Sequence, residues 1–296
     1  MNIKKDTLPT ISLLLAATLW GLTGIFVRNL TQMGLSTFDM IFFRSSVTAI
    51  SMLIFLLITD RSKLKIDIRD WWYFFGTGIL SFLLFGFCYF YTIKNASMSL
   101  AAILLYTSPF FVIIMARIFF KEKITAGKVI GLLLAVIGCF LICNTDKNVK
   151  ITPLIIFTGL SSGFCYALYS IFGRVALKKY DSSTVTFYTF LFAFIGTVFV
   201  VDLKSLSQAI ISAPQSLPLS ILFAFVSAVL PYVFYTYGLK YTEAGKASII
   251  ATLEAVVASI SGVLVFGEKI QPAGVLGIIL VLLAVAMLNT KKQLNS

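Results

Sequence analysis

Apolar residues run along this chain in stretches of about twenty, and charged residues punctuate the joins between them. A run of about 20 apolar residues is what an α-helix needs to cross a hydrocarbon core about 30 Å thick. Ten such runs can be placed, at roughly 9–30, 37–59, 71–93, 98–119, 127–144, 152–177, 182–201, 218–240, 245–266 and 273–290. The predicted fold class is all-α integral membrane, with ten transmembrane helices. The connectors are short. In the longest, 202–217, Leu203, Leu206, Ile210, Ala213 and Leu217 recur at helical spacing, which predicts a helix lying in the membrane interface. Nothing is left over for a separate soluble domain.

Composition agrees with the pattern. Of 296 residues, 59% are hydrophobic and 12% charged, against about 25% charged in a soluble domain; mean hydropathy is +0.97. The net charge of +12 does not imply nucleic acid, because the basic residues sit between apolar runs and not on one soluble face. No A-x-A cleavage pattern follows the first run, so no removable signal peptide is expected. With both termini cytoplasmic, 17 Lys and Arg fall inside and 6 outside, with Arg44 within a span. The positive-inside rule therefore predicts cytoplasmic termini; the expected location is a plasma membrane, the inner membrane of a bacterium. There is no histidine, which removes histidine triads, metal sites and proton relays together. Cys88, Cys139, Cys143 and Cys165 lie inside apolar runs and read as small apolar fillers. No metal, cofactor or nucleotide-binding motif is expected, and the sequence does not decide whether the chain forms a homodimer.

The two halves repeat. A constant shift of 146 residues places Leu22, Ile25, Phe26 and Arg28 on Leu168, Ile171, Phe172 and Arg174. It also places Tyr89, Tyr91 and Lys94 on Tyr235, Tyr237 and Lys240, and Glu122-Lys123-Ile124 on Glu268-Lys269-Ile270. The expected units are 1–146 and 147–296, five spans each. An odd number of crossings inverts the second copy, and inverted repeats build alternating-access carriers with a site near mid-membrane.

These residues carry a resemblance. Leu105-Tyr106-Thr107-Ser108-Pro109 with Phe119-Phe120-Lys121-Glu122 in copy one, Thr252-Leu253-Glu254 with Phe266-Gly267-Glu268 in copy two, and Leu19-Trp20-Gly21 in span 1 resemble the drug/metabolite transporter superfamily, and within it the EamA family. The resemblance covers the whole chain. It implies a carrier of small organic solutes, often exporting amino acids, that works by alternating access without ATP. One position departs: the family often has Pro after the Glu of span 9, and here Ala255 stands there. A kink at that point is not implied by this sequence.

Candidate chemistry centres on Glu254, a carboxylate roughly two turns into span 9 and the only acid deep in a span. An acid at mid-helix costs about 2.5–3.5 kcal/mol on the insertion scale, so it should face protein or water. Ala251, Ala255, Ala258 and Gly262 form a small-residue face beside it where another helix can approach. Span 1 offers Trp20, with Ala17, Gly21 and Gly24 allowing close packing. Tyr166, Tyr169 and Ser170 in span 6, Tyr89 in span 3, Tyr232, Tyr235 and Thr236 in span 8, and Tyr106, Thr107 and Ser108 in span 4 supply polar aromatics and hydroxyls in both copies. Such groups suit a cavity lining or, alternatively, packing and the interfacial belt to which Trp71, Trp72 and Tyr241 belong. Arg44, in span 2, either binds a substrate carboxylate, snorkels outward, or pairs with Asp39. Glu122 and Glu268, beside basic residues at helix ends, read as packing elements. Pro109 and Pro231 interrupt spans 4 and 8 at a hinge or an ordinary kink.

The expected substrate-binding set is therefore Trp20, Arg44, Tyr89, Tyr106, Ser108, Tyr166, Tyr169, Tyr232, Tyr235 and Glu254, with Glu254 also a coupling residue. The leading function is a secondary carrier exporting amino acids or related metabolites. The same fold with a nucleoside, adenosyl-cofactor or cationic-drug cargo is the alternative. A membrane enzyme or a pore fits less well, since no catalytic cluster is visible and the halves are duplicated.

Overall fold

The computed structural model describes residues 3–143 and 152–290. The end of the fifth expected span at Asn144 and the basic residues Lys147, Lys150, Lys291 and Lys292 lie outside that range. Among the described residues the chain is helical, with no strand. We number the long helices α1 (Thr7–Gln32), α2 (Thr37–Thr59), α3 (Ile68–Asn95), α4 (Met98–Phe120), α5 (Ala126–Ile142), α6 (Pro153–Ala176), α7 (Ser182–Val198), α8 (Leu203–Ser212), α9 (Ser216–Tyr241), α10 (Ala244–Phe266) and α11 (Pro272–Thr290). Seven of these are long and apolar enough to cross a membrane, or eight if α7 and α8, bent by 96°, are one broken span. The ten regular spans expected from hydropathy are met to that extent. The apolar helices α5 and α11 are shorter, and at 1.5 Å per residue the 17 residues of α5 reach about 25 Å. The helix expected in 202–217 is α8.

Polar residues at the joins start these helices. Ser36 and Asp39 form a reciprocal capping box at the head of α2. Ser97, Thr125, Thr152 and Asp202 each accept a backbone N–H at the next helix start. The helices α4 and α10 end alike: Lys121 (φ 56°) and Gly267 (φ 66°) turn left-handed. The next amides, Glu122 N and Glu268 N, then donate to Ala116 O and Gly262 O at 3.3 Å.

Packing pairs the elements that the shift of 146 makes equivalent. The helices α2 and α7 run antiparallel, with the Ser45 and Thr197 hydroxyls 3.1 Å apart and Phe187 packed with Met52 and Leu56. The pair α5 and α11 is also antiparallel: Gly131 faces Leu288, and Gly138 faces Gly277. A Cβ on Gly138 would lie 2.7 Å from the Gly277 carbonyl oxygen, so the two backbones touch. Gly138→Leu is expected to push these helices apart and cost at least about 1–3 kcal/mol as overpacking. A thermal melt of the purified protein in detergent, indistinguishable from that of the parent, would contradict this. Between these two pairs lie α1 against α9 and α10, and α3 and α4 against α6.

Several interruptions fall at equivalent places. The helix α3 widens to π geometry over Gly76–Leu83, and α9 does so over Phe225–Val229. The helix α4 breaks at Tyr106-Thr107, and α10 breaks at Thr252. Proline is not needed for the second break. The Thr252 hydroxyl and amide both bond the Ile249 carbonyl, at 2.7 and 3.1 Å, which tightens the turn to i→i+3. The Thr107 side chain treats Leu104 O in the same way at 2.6 Å.

Candidate functional site

Two small cavities meet at Tyr166. The first is walled by Trp20 of α1, by Ser81, Phe82 and Phe85 of α3, by Tyr166, Tyr169 and Ser170 of α6, and by Tyr232 and Tyr235 of α9. The second is walled by Leu105, Tyr106 and Ser108 of α4, by Tyr166, and by Ser248, Ala251, Thr252 and Glu254 of α10. Each leaves about 10 Å³, the room of about one water molecule. Any organic solute therefore needs these walls to move apart before it can be held.

The aromatic walls lock one another. Trp20 meets Tyr232 and Tyr235 with ring centroids 5.3 and 5.2 Å apart, and Tyr166 at 6.2 Å. These separations are those of favourable edge and tilted contacts, worth about 0.5–1.5 kcal/mol each. The Tyr169 hydroxyl lies 2.5 Å from that of Thr236, and Ser170 lies 2.9 Å from the Tyr235 hydroxyl. Helices α6 and α9 are thus cross-linked by hydroxyl pairs at the cavity wall.

Glu254 occupies the first turn of the second half of α10, just past the Thr252 break. The helix dipole at that end favours a negative charge. Its carboxylate has no hydrogen bond or ion pair among the described residues, and it borders the cavity. Gly21 sets α1 against this turn: a Cβ there would lie 2.8 Å from Glu254 O and 2.5 Å from Val257 Cβ. Gly24, expected to share that role, has nothing within 4 Å of its Cβ position. The small-residue face of α10 is also only partly a contact face. Ala251 and Ala255 are buried, Ala258 is exposed, and Gly262 abuts the Glu268 carboxylate of the following turn. The helix is interrupted at Thr252, so one regular stripe does not persist along its whole length.

The structure brings eight of the ten expected residues to the cavities: Trp20, Tyr106, Ser108, Tyr166, Tyr169, Tyr232, Tyr235 and Glu254. Tyr89 stands one shell back, stacked on Phe85 at 5.3 Å. Arg44 does not pair with Asp39, whose carboxylate accepts the Ser36 amide at 2.8 Å and hydroxyl at 2.7 Å. Its guanidinium sits over Phe82 at 5.1 Å and donates to Ser227 O at 3.0 Å. Sequence reasoning missed Ser81, Phe82, Phe85, Ser248 and Thr252. The four-residue spacing of Ser81, Phe85 and Tyr89 was a signal for the first group. Among the described residues no group of His, Cys, Asp and Glu is placed to hold a metal ion, and all four cysteines are free thiols.

Comparison with known proteins decides the family. The EamA-like transporter family matches twice, over residues 8–144 and 153–290. The chain belongs to the EamA-like transporter family. Relatives include an uncharacterized transporter, YyaM, of Bacillus subtilis, 30% identical over 250 residues that cover 82% of this chain and 81% of that one. An uncharacterized transporter of Archaeoglobus fulgidus is 27% identical over 270 residues, 90% of each chain. A crystal structure at 13% identity superposes with a TM-score of 0.78 over 97% of this chain and 99% of its own, which shows a shared fold. This EamA-like protein is a multi-pass membrane transporter.

Proposed function

We propose that the chain is a secondary carrier of small organic metabolites, an exporter of amino acids or related compounds, working by alternating access. In this reading ten crossings form two inverted five-helix repeats, 1–146 and 147–296, with both termini in the cytoplasm of a bacterial inner membrane. The double family match and the antiparallel packing of equivalent helices support the duplication. Trp20, Tyr166, Tyr169, Tyr232 and Tyr235 form the aromatic seat, Tyr106 and Ser108 the wall opposite Glu254, and Tyr89 backs Phe85. Glu254 receives a substrate ammonium or the coupling proton. A nucleoside or another flat cationic cargo is the second reading, favoured by the number of aromatic faces. The chain alone supplies the solute pathway in either case, and a homodimer is not required.

One observation carries alternation. The equivalent turns at Lys121 and Gly267 hold Glu122 and Glu268, yet the two carboxylates are used differently. Glu122 is buried and caps the head of α10, accepting Ala244 N at 2.9 Å and Gly245 N at 3.4 Å. The positions equivalent to Ala244 and Gly245 are Met98 and Ser99 at the head of α4. Glu268 does not reach them: Ser97 caps that helix, and Glu268, 61% exposed, pairs with Arg28 at 3.3 Å. One end is latched and its counterpart is not, as in a carrier caught on one side of its cycle. Counterflow into proteoliposomes over a panel of amino acids and nucleosides, at two pH values, tests the reading. Saturable uptake driven by a preloaded member of the panel is expected. Unsaturable flux of every compound would indicate a pore and reject it.

A further inference from the structure

Four buried side-chain atoms among the described residues have no hydrogen-bond partner: Arg44 Nε, Ser216 Oγ, Ser220 Oγ and Ser227 Oγ. Arg44 and Ser227 meet where α9 packs on α2, and Ser216 and Ser220 continue from Ser227 along α9. Ser216, Ser220, Phe223 and Ser227 share one face of α9 at 3.6 residues per turn. That face packs on α2, because Phe223 lies under the Arg44 guanidinium at 5.9 Å and Ser227 O accepts from it. From Ser216 to Ser227 the hydroxyls climb about 16 Å along the helix. Native interiors leave few buried polar atoms unpaired, so four in one line mark a place where polar matter belongs.

The charge sharpens this. No carboxylate lies within ion-pair distance of Arg44 among the described residues; its direct contacts are the Phe82 and Phe223 rings and the Ser227 carbonyl, and Tyr232, Glu254 and Tyr166 act on it only through longer-range electrostatics. Ring faces are worth about 0.5–2 kcal/mol to a cation, well short of the cost of burying an unpaired charge. A guanidinium with free donors in its planar fork is matched by a small anion, above all by a carboxylate. We propose that the seam between α2 and α9 seats a small monoanionic group on Arg44 and the Ser227 hydroxyl, with Ser220 and Ser216 holding the water file through which it exchanges. The group comes either from the transported solute, as its carboxylate, or from solution, as a halide. Only the first source rests on the transport reading.

The test is binding. The full-length protein in nanodiscs is titrated with sodium chloride or sodium acetate, with ionic strength held by bulky sodium methanesulfonate, and its thermal midpoint is followed. A saturable rise is expected, because a ligand that binds the folded state stabilises it. Protection by chloride alone assigns the site to a free anion; protection by acetate, in competition with chloride, assigns it to a solute carboxylate. Arg44→Met should weaken the protecting anion at least about tenfold, 1.4 kcal/mol. Arg44→Lys and Ser227→Ala, which leave the seam packed, should weaken it several-fold and serve if Arg44→Met does not fold. No saturable rise with either salt, or an unchanged affinity in these variants, overturns the proposal. Because the assay needs no transport, anion binding without counterflow would fault the carrier reading alone.

Discussion

Glu254→Gln is expected to abolish net transport while leaving the protein folded. Gln keeps the shape of the side chain and removes its charge, so it stands in for the protonated acid. The position already lacks a hydrogen-bond partner among the described residues, so the change orphans nothing in the protein itself. The two roles proposed for Glu254 then separate. If the carboxylate receives a substrate ammonium, losing a charged hydrogen bond worth about 1.5–3 kcal/mol weakens binding by about 10- to 150-fold. Counterflow and net transport fall together. If it carries the coupling proton, counterflow between equal solutes persists, but a pH gradient no longer drives accumulation and the residual rate loses its pH dependence. Glu254→Asp should recover part of either function, since the charge returns about one bond length short. Initial rates of counterflow and of gradient-driven uptake, measured at two pH values, distinguish the outcomes. Full activity that still responds to the gradient would remove Glu254 from the mechanism.

The aromatic cavity lining was legible in the sequence because tyrosines occur in equivalent helices of both halves, and a cavity walled by both halves must draw on both. Tyr166, Tyr169, Tyr232 and Tyr235 follow from that logic, and Trp20 from its place in span 1. The wall from α3 was not legible in the same way. Phe82 and Phe85 look like any lipid-facing phenylalanine, and the π geometry of Gly76–Leu83, which contains Phe82 and precedes Phe85, is not encoded in hydropathy. The break in α10 was missed for a related reason. Proline was the expected breaker, whereas Thr252 reaches back to Ile249 O through its own hydroxyl. Gly24 and Ala258 show the converse limit. Small residues at helical spacing permit an approach, but a helix interrupted at Leu22 or at Thr252 uses only part of the stripe. Arg44 was recognised as anomalous by its depth, yet its surroundings depend on Ser216, Ser220 and Ser227, which carry no signal singly.

Substitutions at Glu122 and Glu268 should push the carrier in opposite directions. Glu122 is buried with Lys128 at 3.3 Å, and Lys128 also binds Glu243 at 2.9 Å and Lys123 O at 3.0 Å. In Glu122→Ala the Lys128 ammonium loses its buried partner, and the Ala244 and Gly245 amides lose their cap. Lys128 keeps Glu243 and Lys123 O, so the main loss is the buried amide cap: leaving a buried donor unsatisfied costs about 1–3 kcal/mol, roughly 5- to 150-fold in population. That cost falls on the latched state, so the end of α10 at Ala244 should open. Glu268→Ala removes an exposed pair with Arg28, worth about 0–1 kcal/mol, and should leave this state nearly untouched. Its penalty belongs to the opposite state, if there Glu268 swings onto the amides of Met98 and Ser99 as Glu122 does here on Ala244 and Gly245. Spin-label distances across the two ends, between α4 and α10, read this directly: Glu122→Ala should lengthen the pair near Ala244, and Glu268→Ala should deplete the state in which the pair near Met98 is short. If both variants shift the populations the same way, the two carboxylates are local packing elements and not alternate latches of one switch.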